Sequence, residues 1–506
     1  MPRNPVRRPS DSRLLVPCVG LLTLGLSRSA SANPLSTFGW DADSAAVAGS
    51  NLAVGRSPGV VHANPALLDE IPSTFTFGLV SYTPRLDIQL MKRPAGADVP
   101  LSIYGSSLGN QSVQDRALPT AELPHRRSDT HLTNGDSRLV LGLVTSPYKA
   151  VKVGVLLTLP MSGGDAANVA TRYDDERQGT FDNKLGFTRF GGWNRIAGVA
   201  FGASFAPWDW LSIGIGAQLS AQAQAKLQVY VPDAAVQDYA QSNLETNVGT
   251  TWRSVLGVRM RPKKWLSVGL VFRGESYFRI DAVSEVVLWN YHEADPDRTV
   301  PKRTQQSFPV VTEYQPQELG LGVAGLFDKV TVQASATLQR WSRYLDHHAQ
   351  APEAAALVPG RSIDASAYQF HDIVSFAGAI TLRPVAALAT TLGAAFLPSP
   401  VPAQVGRTTY VDSNLFAFTF GQRADIVVSS RKVWLSLALQ LWQMQQRTTY
   451  KDPSQMVDEM PDDLRTLRTG EKMPEARGLQ TNSPGYPGFV SQGTALTTTF
   501  SIGVEL

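Results

Sequence analysis

One unit, repeated six times, limits what this 506-residue chain can become: an alternating apolar stretch, a tight turn, then a second alternating stretch. Leu139, Leu141 and Leu143 run into Pro147-Tyr148-Lys149, and Val151, Val153, Val155, Leu157 and Leu159 follow. Val199, Phe201, Ala203 and Phe205 lead through Pro207-Trp208-Asp209-Trp210 to Leu211, Ile213, Ile215, Ala217 and Leu219. Leu256, Val258 and Met260 lead through Pro262-Lys263-Lys264-Trp265 to Leu266, Val268, Leu270 and Phe272. A period of two marks a β-strand, because successive side chains leave opposite faces. The other face carries small or polar residues, as in Ser212, Gly214, Gly216 and Gln218. Strands of about ten residues, apolar on one side only, suit a closed barrel with lipid outside and a polar lumen.

Connection lengths alternate. Short turns fall near 147–149, 207–210, 262–265, 327–329, 383–386 and 429–432, and long polar connections near 91–135, 161–194, 222–250, 282–316, 343–370, 398–412 and 449–490. Six turns and seven loops join 14 strands, so the expected fold is all-β, a 14-stranded antiparallel transmembrane β-barrel. A soluble sandwich rarely sorts its loops by length this way, and a propeller would give four strands per period. Tyr148, Trp208, Trp210, Trp265, Phe327 and Trp434 sit at the short turns, and Trp193, Trp252, Tyr277 and Trp341 near the long loops. That placement predicts two aromatic girdles. The alternating end Phe500-Ser501-Ile502-Gly503-Val504-Glu505-Leu506 is a last strand of the kind barrel assembly machinery reads, although Leu506 replaces the usual aromatic.

Residues 1–32 read as a signal peptide: Arg3, Arg7, Arg8 and Arg13 precede the apolar run Leu14 to Leu26, and Ala30-Ser31-Ala32 offers a cleavage site. The run is too short for a membrane span, which takes about 20 apolar residues. The expected localisation is the bacterial outer membrane, with outer-membrane lipid as a partner. The leader takes 5 Arg and 1 Asp with it, leaving 41 basic and 42 acidic residues, so the basic balance of the whole chain does not point to nucleic acid. Cys18, the single cysteine, leaves as well, which removes disulfides and thiol metal sites.

Few charges stand in mid-strand. Lys152, Arg259, Arg261 and Arg383 cluster beside short turns, and alternation with Val258 and Met260 turns Arg259 and Arg261 inward. They read either as rim charge or as contacts for a cargo carboxylate. A candidate loop helix starts at Pro232-Asp233, with Val236, Tyr239, Ala240 and Leu244 on one stripe, and another at Asp452-Pro453, with Met456, Val457 and Met460. Val236 and Tyr239 are candidate ligand contacts, and packing on neighbouring loops is the alternative. No supported Ser–His pair, phosphate loop or zinc spacing stands out, and His347-His348 beside Asp346 has poor ligand geometry. No enzyme activity, metal or cofactor is expected.

Before the first strand lie Phe38-Gly39-Trp40, a small-residue stretch from Asp43 to Arg56, and His62-Ala63-Asn64-Pro65-Ala66-Leu67-Leu68. Asn64-Pro65 is a turn initiator. Here the chain resembles the FadL-type family of outer-membrane transporters for long-chain fatty acids and other hydrophobic compounds. Asn64, Pro65 and Ala66 match the family's Asn-Pro-Ala hatch motif, and Ala336-Thr337-Leu338-Gln339-Arg340-Trp341-Ser342 looks like its strand end; Thr481 to Pro487 departs from its pattern. The resemblance implies a hatch at 33–72 inside a barrel of 73–506, with Phe38 as a further candidate ligand contact. It also implies passive transport of fatty acids, hydrocarbons or similar hydrophobic small molecules. A general diffusion porin or a structural barrel is the alternative. The family's wall kink near the third strand would fall at Pro160, Gly163 and Gly164, unless Pro160 merely ends its strand.

Overall fold

The computed structural model describes residues 39–94, 129–133, 135–161, 185–189, 198–230, 241–289, 301–344, 369–406, 408–456, 479, 481, 483 and 485–506. Fourteen strands form the wall. They are β1 (Thr74–Leu90), β2 (Asp136–Tyr148), β3 (Val151–Pro160), β4 (Gly198–Trp208), β5 (Leu211–Tyr230), β6 (Gln241–Lys263) and β7 (Leu266–Arg273). The second half is β8 (Gln317–Leu326), β9 (Val330–Arg340), β10 (Ile373–Val385), β11 (Leu388–Leu397), β12 (Leu415–Val428), β13 (Arg431–Tyr450) and β14 (Gly488–Glu505). Each pairs antiparallel with the next, and β14 returns to β1 over Thr74↔Glu505 to Leu90↔Phe489, which closes the barrel. Closure leaves the wall without an unpaired edge, the condition for strands to stand in lipid.

The alternation acts as expected. On β5, Ile213 and Ile215 are exposed while Ser212 and Gln218 are buried. On β13, Leu435, Leu437, Leu439 and Leu441 face out, and Ser436, Ala438 and Gln440 face in. Tyr148, Trp208, Trp210, Trp265 and Phe327 stand exposed at the turn end, and Trp252 and Tyr277 toward the loop end. Two aromatics leave the expected girdles. Trp434 is only 4% exposed, because it shares the inward parity of Ser436 and carries the Arg423 guanidinium 4.4 Å over its ring. Trp341 turns inward in a 3₁₀ turn (Trp341–Arg343) just beyond β9 and joins Tyr314, Tyr344, Phe370 and Tyr410 in an aromatic cluster. Trp193 lies outside the described residues.

Two connections hold more strand than their polarity suggests. β5 and β6 pair through Tyr230↔Gln241, so Leu244 belongs to a strand and not to a helix. The alternation of Ala221, Ala223, Ala225 with Gln222, Gln224, Lys226 already carried that signal. Residues Ser276–Trp289 and Pro301–Gln315 form a separate hairpin outside the wall. The Asp452-Pro453 site opens a single 3₁₀ turn, Pro453–Gln455, with Asp452 accepting from Ser454 N. At the loop end, the buried Arg189 and the half-buried Arg447 hold irregular backbone: Arg189 pairs with Asp412 at 2.9 Å, and Arg447 donates to the carbonyls of Val401, Pro402 and Asp412. No described helix is long and apolar enough to cross a membrane.

Candidate functional site

Residues 39–71 lie against the inward face of the wall. Helix α1 (Ala42–Ala46) starts at Asp41, whose carboxylate accepts from Ser44 N at 2.9 Å. Its second oxygen accepts from Gly59 N at 2.7 Å, so one buried carboxylate ties α1 to the start of helix α2 (Val60–Ala63). Burial, with Asp43 nearby, raises the Asp41 carboxyl above its usual range. Asn64 then caps the 3₁₀ helix Pro65–Glu70: its Oδ1 accepts from Ala66 N at 3.1 Å. Asn64 Nδ2 donates to Leu52 O at 2.7 Å and to Val258 O of β6 at 3.3 Å. Pro65 fits the first helical position because that position needs no N–H donor.

The segment meets the two halves of the wall differently. Against β2–β8 it approaches backbone to backbone. A Cβ on Gly214 would overlap Ala66 N, and one on Gly257 would overlap Asn64 Oδ1, so only glycine admits the turn there. Ser212 Oγ donates to Ala66 O at 2.8 Å, and Ser267 Oγ to Ala53 O at 2.7 Å. Against β12–β14, α1 packs on small residues: Ala42, Ala45 and Ala46 meet Ala438, and a Cβ on Gly421 would overlap Ala46. Polar side chains also reach it. Thr419 Oγ1 donates to Ala46 O at 2.6 Å, Gln440 Nε2 to Ala45 O at 2.7 Å, and Ser436 Oγ to Asp43 at 3.0 Å. Arg423 pairs with Asp43 at 2.6 Å.

Charge closes the turn end. Arg259, 2% exposed, pairs with Asp69 and reaches Glu70 at 3.5 Å; Arg261 pairs with Glu70, and Lys152 donates to Ile71 O. The inward parity read for Arg259 and Arg261 holds, but their carboxylate partners come from the chain itself. Burial raises Glu70 to about 7 against the pull of Arg261 and Arg259.

A second charged group escaped the sequence reading. Arg253, Arg273 and Glu318 are buried where the wall changes neighbours, since β6 pairs with β7 only from Val255 to Lys263. Arg273 pairs with Glu318 at 2.8 Å and donates to His62 O at 3.2 Å and Ala63 O at 2.6 Å. Arg253 lies 3.4 Å from Glu318 and donates to Gly274 O and Pro316 O at 2.6 Å. All three stand at inward parity, Arg253 with Val255 and Gly257, Glu318 with Gly320; that parity was the available signal. Burial, then Arg273 and Arg253, holds the His62 imidazole well below its usual range, so it is neutral at pH 7.

Two cavities lie beside the segment. The outer one, about 90 Å³, is bordered by Trp40, His62, Leu52, Gln339, Leu397 and Trp442. An inner one, about 40 Å³, is bordered by Asp43, Arg56, Gln333, Thr381, Thr391 and Arg423. Ser44 and Asn51 border both and are hydrogen-bonded to each other at 3.0 Å.

Of the remaining sequence candidates, Phe38, Val236, Tyr239, Gly163 and Gly164 lie outside the described residues. Among the described residues, the ladder on both sides of β3 shows no break before its last two residues. β3 pairs without interruption with β2 from Val153 to Pro160 and with β4 from Val151 to Thr158, and Pro160 stands opposite Arg138 as the strand's last residue. A proline at a strand end removes no ladder bond that the wall needs. Among the described residues no group of His, Cys, Asp and Glu could hold a metal ion.

These features define a closed 14-stranded barrel with its own N-terminal residues folded against the inside of the wall. The fold is that of the FadL-type transporters. The chain aligns with a Pseudomonas aeruginosa FadL homologue over 95% of its own length and 99% of the other, at TM-score 0.50 and 13% identity. It aligns with the P. putida toluene transporter TodX (TM-score 0.45, 12% identity, 93% and 99% covered) and the CymD monoaromatic hydrocarbon channel (0.47, 11%, 93% and 98%). No family model and no curated protein matches the sequence.

Proposed function

We propose that the barrel is a passive outer-membrane channel for hydrophobic small molecules, with residues up to about 72 acting as a hatch, after removal of residues 1–32 as a signal peptide. The hydrogen-bonded segment against the lumen wall carries this reading, since a general diffusion porin has no use for it. Glycine contacts and buried aliphatics hold residues 52–70 to β2–β8, and α1 is held to β12–β14 by polar bonds beside both cavities together with small-residue packing on Gly421 and Ala438. A shift of α1 that breaks the Asn51–Ser44 bond would join the cavities. The route then runs along the wall toward the turn end; along β3 the described ladder is continuous with β2 to Pro160 and with β4 to Thr158.

A tether tests it. Ala46→Cys with Thr419→Cys joins α1 to the wall where the Thr419 hydroxyl reaches the Ala46 carbonyl, in a chain whose only native cysteine lies in the leader. Oxidation should stop uptake of a hydrophobic dye into liposomes carrying the barrel, and reduction should restore it. Full uptake with the crosslink verified by mass would sink the moving-hatch reading.

A further inference from the structure

We propose that Arg340 and Arg343, on the lipid-facing outside of the wall, hold the phosphate of an anionic membrane lipid at the loop-end edge of the bilayer. The inference concerns the outer surface of the barrel and stands apart from the transport reading. Arg340 ends β9, Gln317 opens β8, and the two are partners across the ladder. Both share the outward parity of the exposed pair Leu319 and Leu338. Gln317 Oε1 lies 3.3 Å from Arg340 Nη1 and 3.5 Å from Arg343 Nη1, so one neutral oxygen gathers two guanidiniums on the same rim. Among the described residues Arg340 meets no carboxylate at pairing distance, and Arg343 meets only Glu275, at 3.6 Å and open to solvent. The neighbouring Asp372 carboxylate is taken up by Ser342 N at 2.8 Å.

The height fits a headgroup. Arg340 stands ten residues beyond Val330, where β9 begins; at about 3.3 Å per residue and a tilt of about 40°, that is about 25 Å from the turn end, the far edge of a lipid-facing band about 25 Å tall. The exposed Trp252 and Tyr277 mark the same boundary. At that level a long Arg stem lies along the apolar wall with its head among the headgroups. Like charges gathered this closely repel, and an anion set between them replaces repulsion with attraction. The planar guanidinium fork matches phosphate oxygens two at a time. A dissolved phosphate would meet the same fork, but only a lipid also covers Leu319 and Leu338.

The test is native mass spectrometry of the full barrel in detergent, with equal amounts of dioleoyl phosphatidic acid and dioleoyl phosphatidylcholine added. The unaltered protein should retain phosphatidic acid at least about fivefold over phosphatidylcholine, the worth of one charge-assisted hydrogen bond. Arg340→Lys with Arg343→Lys keeps both charges and loses the fork; the preference should fall below about twofold. Gln317→Leu changes no charge and removes the oxygen that gathers the two side chains, so the preference should fall there as well. Lys263→Gln with Lys264→Gln removes two exposed charges at the turn end and should leave it intact. Every variant is first checked for barrel closure by its heat-modified shift on a gel. No preference in the unaltered protein overturns the proposal. A preference that survives the Arg-to-Lys exchange, or that the Lys263 and Lys264 changes abolish, overturns it in favour of bulk charge attraction. Inorganic phosphate at millimolar concentration should not displace the bound lipid, and displacement would overturn the lipid as the occupant.

Discussion

Asn64 has every polar atom of its side chain engaged while fully buried. Asn64→Ala strands Leu52 O and Ala66 N, so it should destabilise the segment by about 1–3 kcal/mol. Hydrogen exchange at residues 60–70 measures this: their protection should fall while that of β13 and β14 stays. His62 gives a pH dependence of known sign. Its folded pKa lies below the unfolded value of about 6.5, so its contribution is complete above that value and is lost as the pH falls below it. Thermal stability of the native chain should drop more between pH 7 and pH 5 than that of His62→Gln, and equal slopes would refute the assignment. At this scale the sequence was only partly legible. The inward aim of Arg259 could be read from its neighbours, but its partners Asp69 and Glu70 lie 190 residues away, in a segment whose path no periodicity reveals. The parity rule also covered Trp434 and Arg253; reading Trp434 by its nearness to a turn set that rule aside.

Between elements, the decisive quantity is how closely the segment approaches the wall. β5 and β6 present Gly214 and Gly257 where the Asn64-Pro65-Ala66 turn lies on them. Gly257→Val would sit easily in a strand, since valine favours that backbone, yet it must displace Asn64. The expected outcome is a barrel that still closes, seen as an unchanged heat-modified shift on a gel, with the segment cut by protease at least tenfold faster. An unchanged cleavage rate would show that the close approach holds nothing. Strand periodicity survived the step from sequence to structure because each strand's two faces meet different media along its whole length. The extra pairing of β5 with β6 was harder to see on the β6 side, since Gln241 to Thr250 carries polar residues on both faces and resembles loop.

For the whole molecule, strand number and closure followed from the alternation of short and long connections, and both depend only on local pattern. The occupied lumen did not follow from pattern; its prediction came from the resemblance carried by one tripeptide. The central claim is that the native barrel is shut by its own N-terminal residues. Single-channel recording in planar bilayers tests this most directly, comparing the mature chain with a variant lacking residues 39–71. The mature chain should be nearly silent, with only brief openings, and the shortened barrel should give large steady steps. Steady open conductance from the intact chain, equal to that of the shortened one, would contradict it.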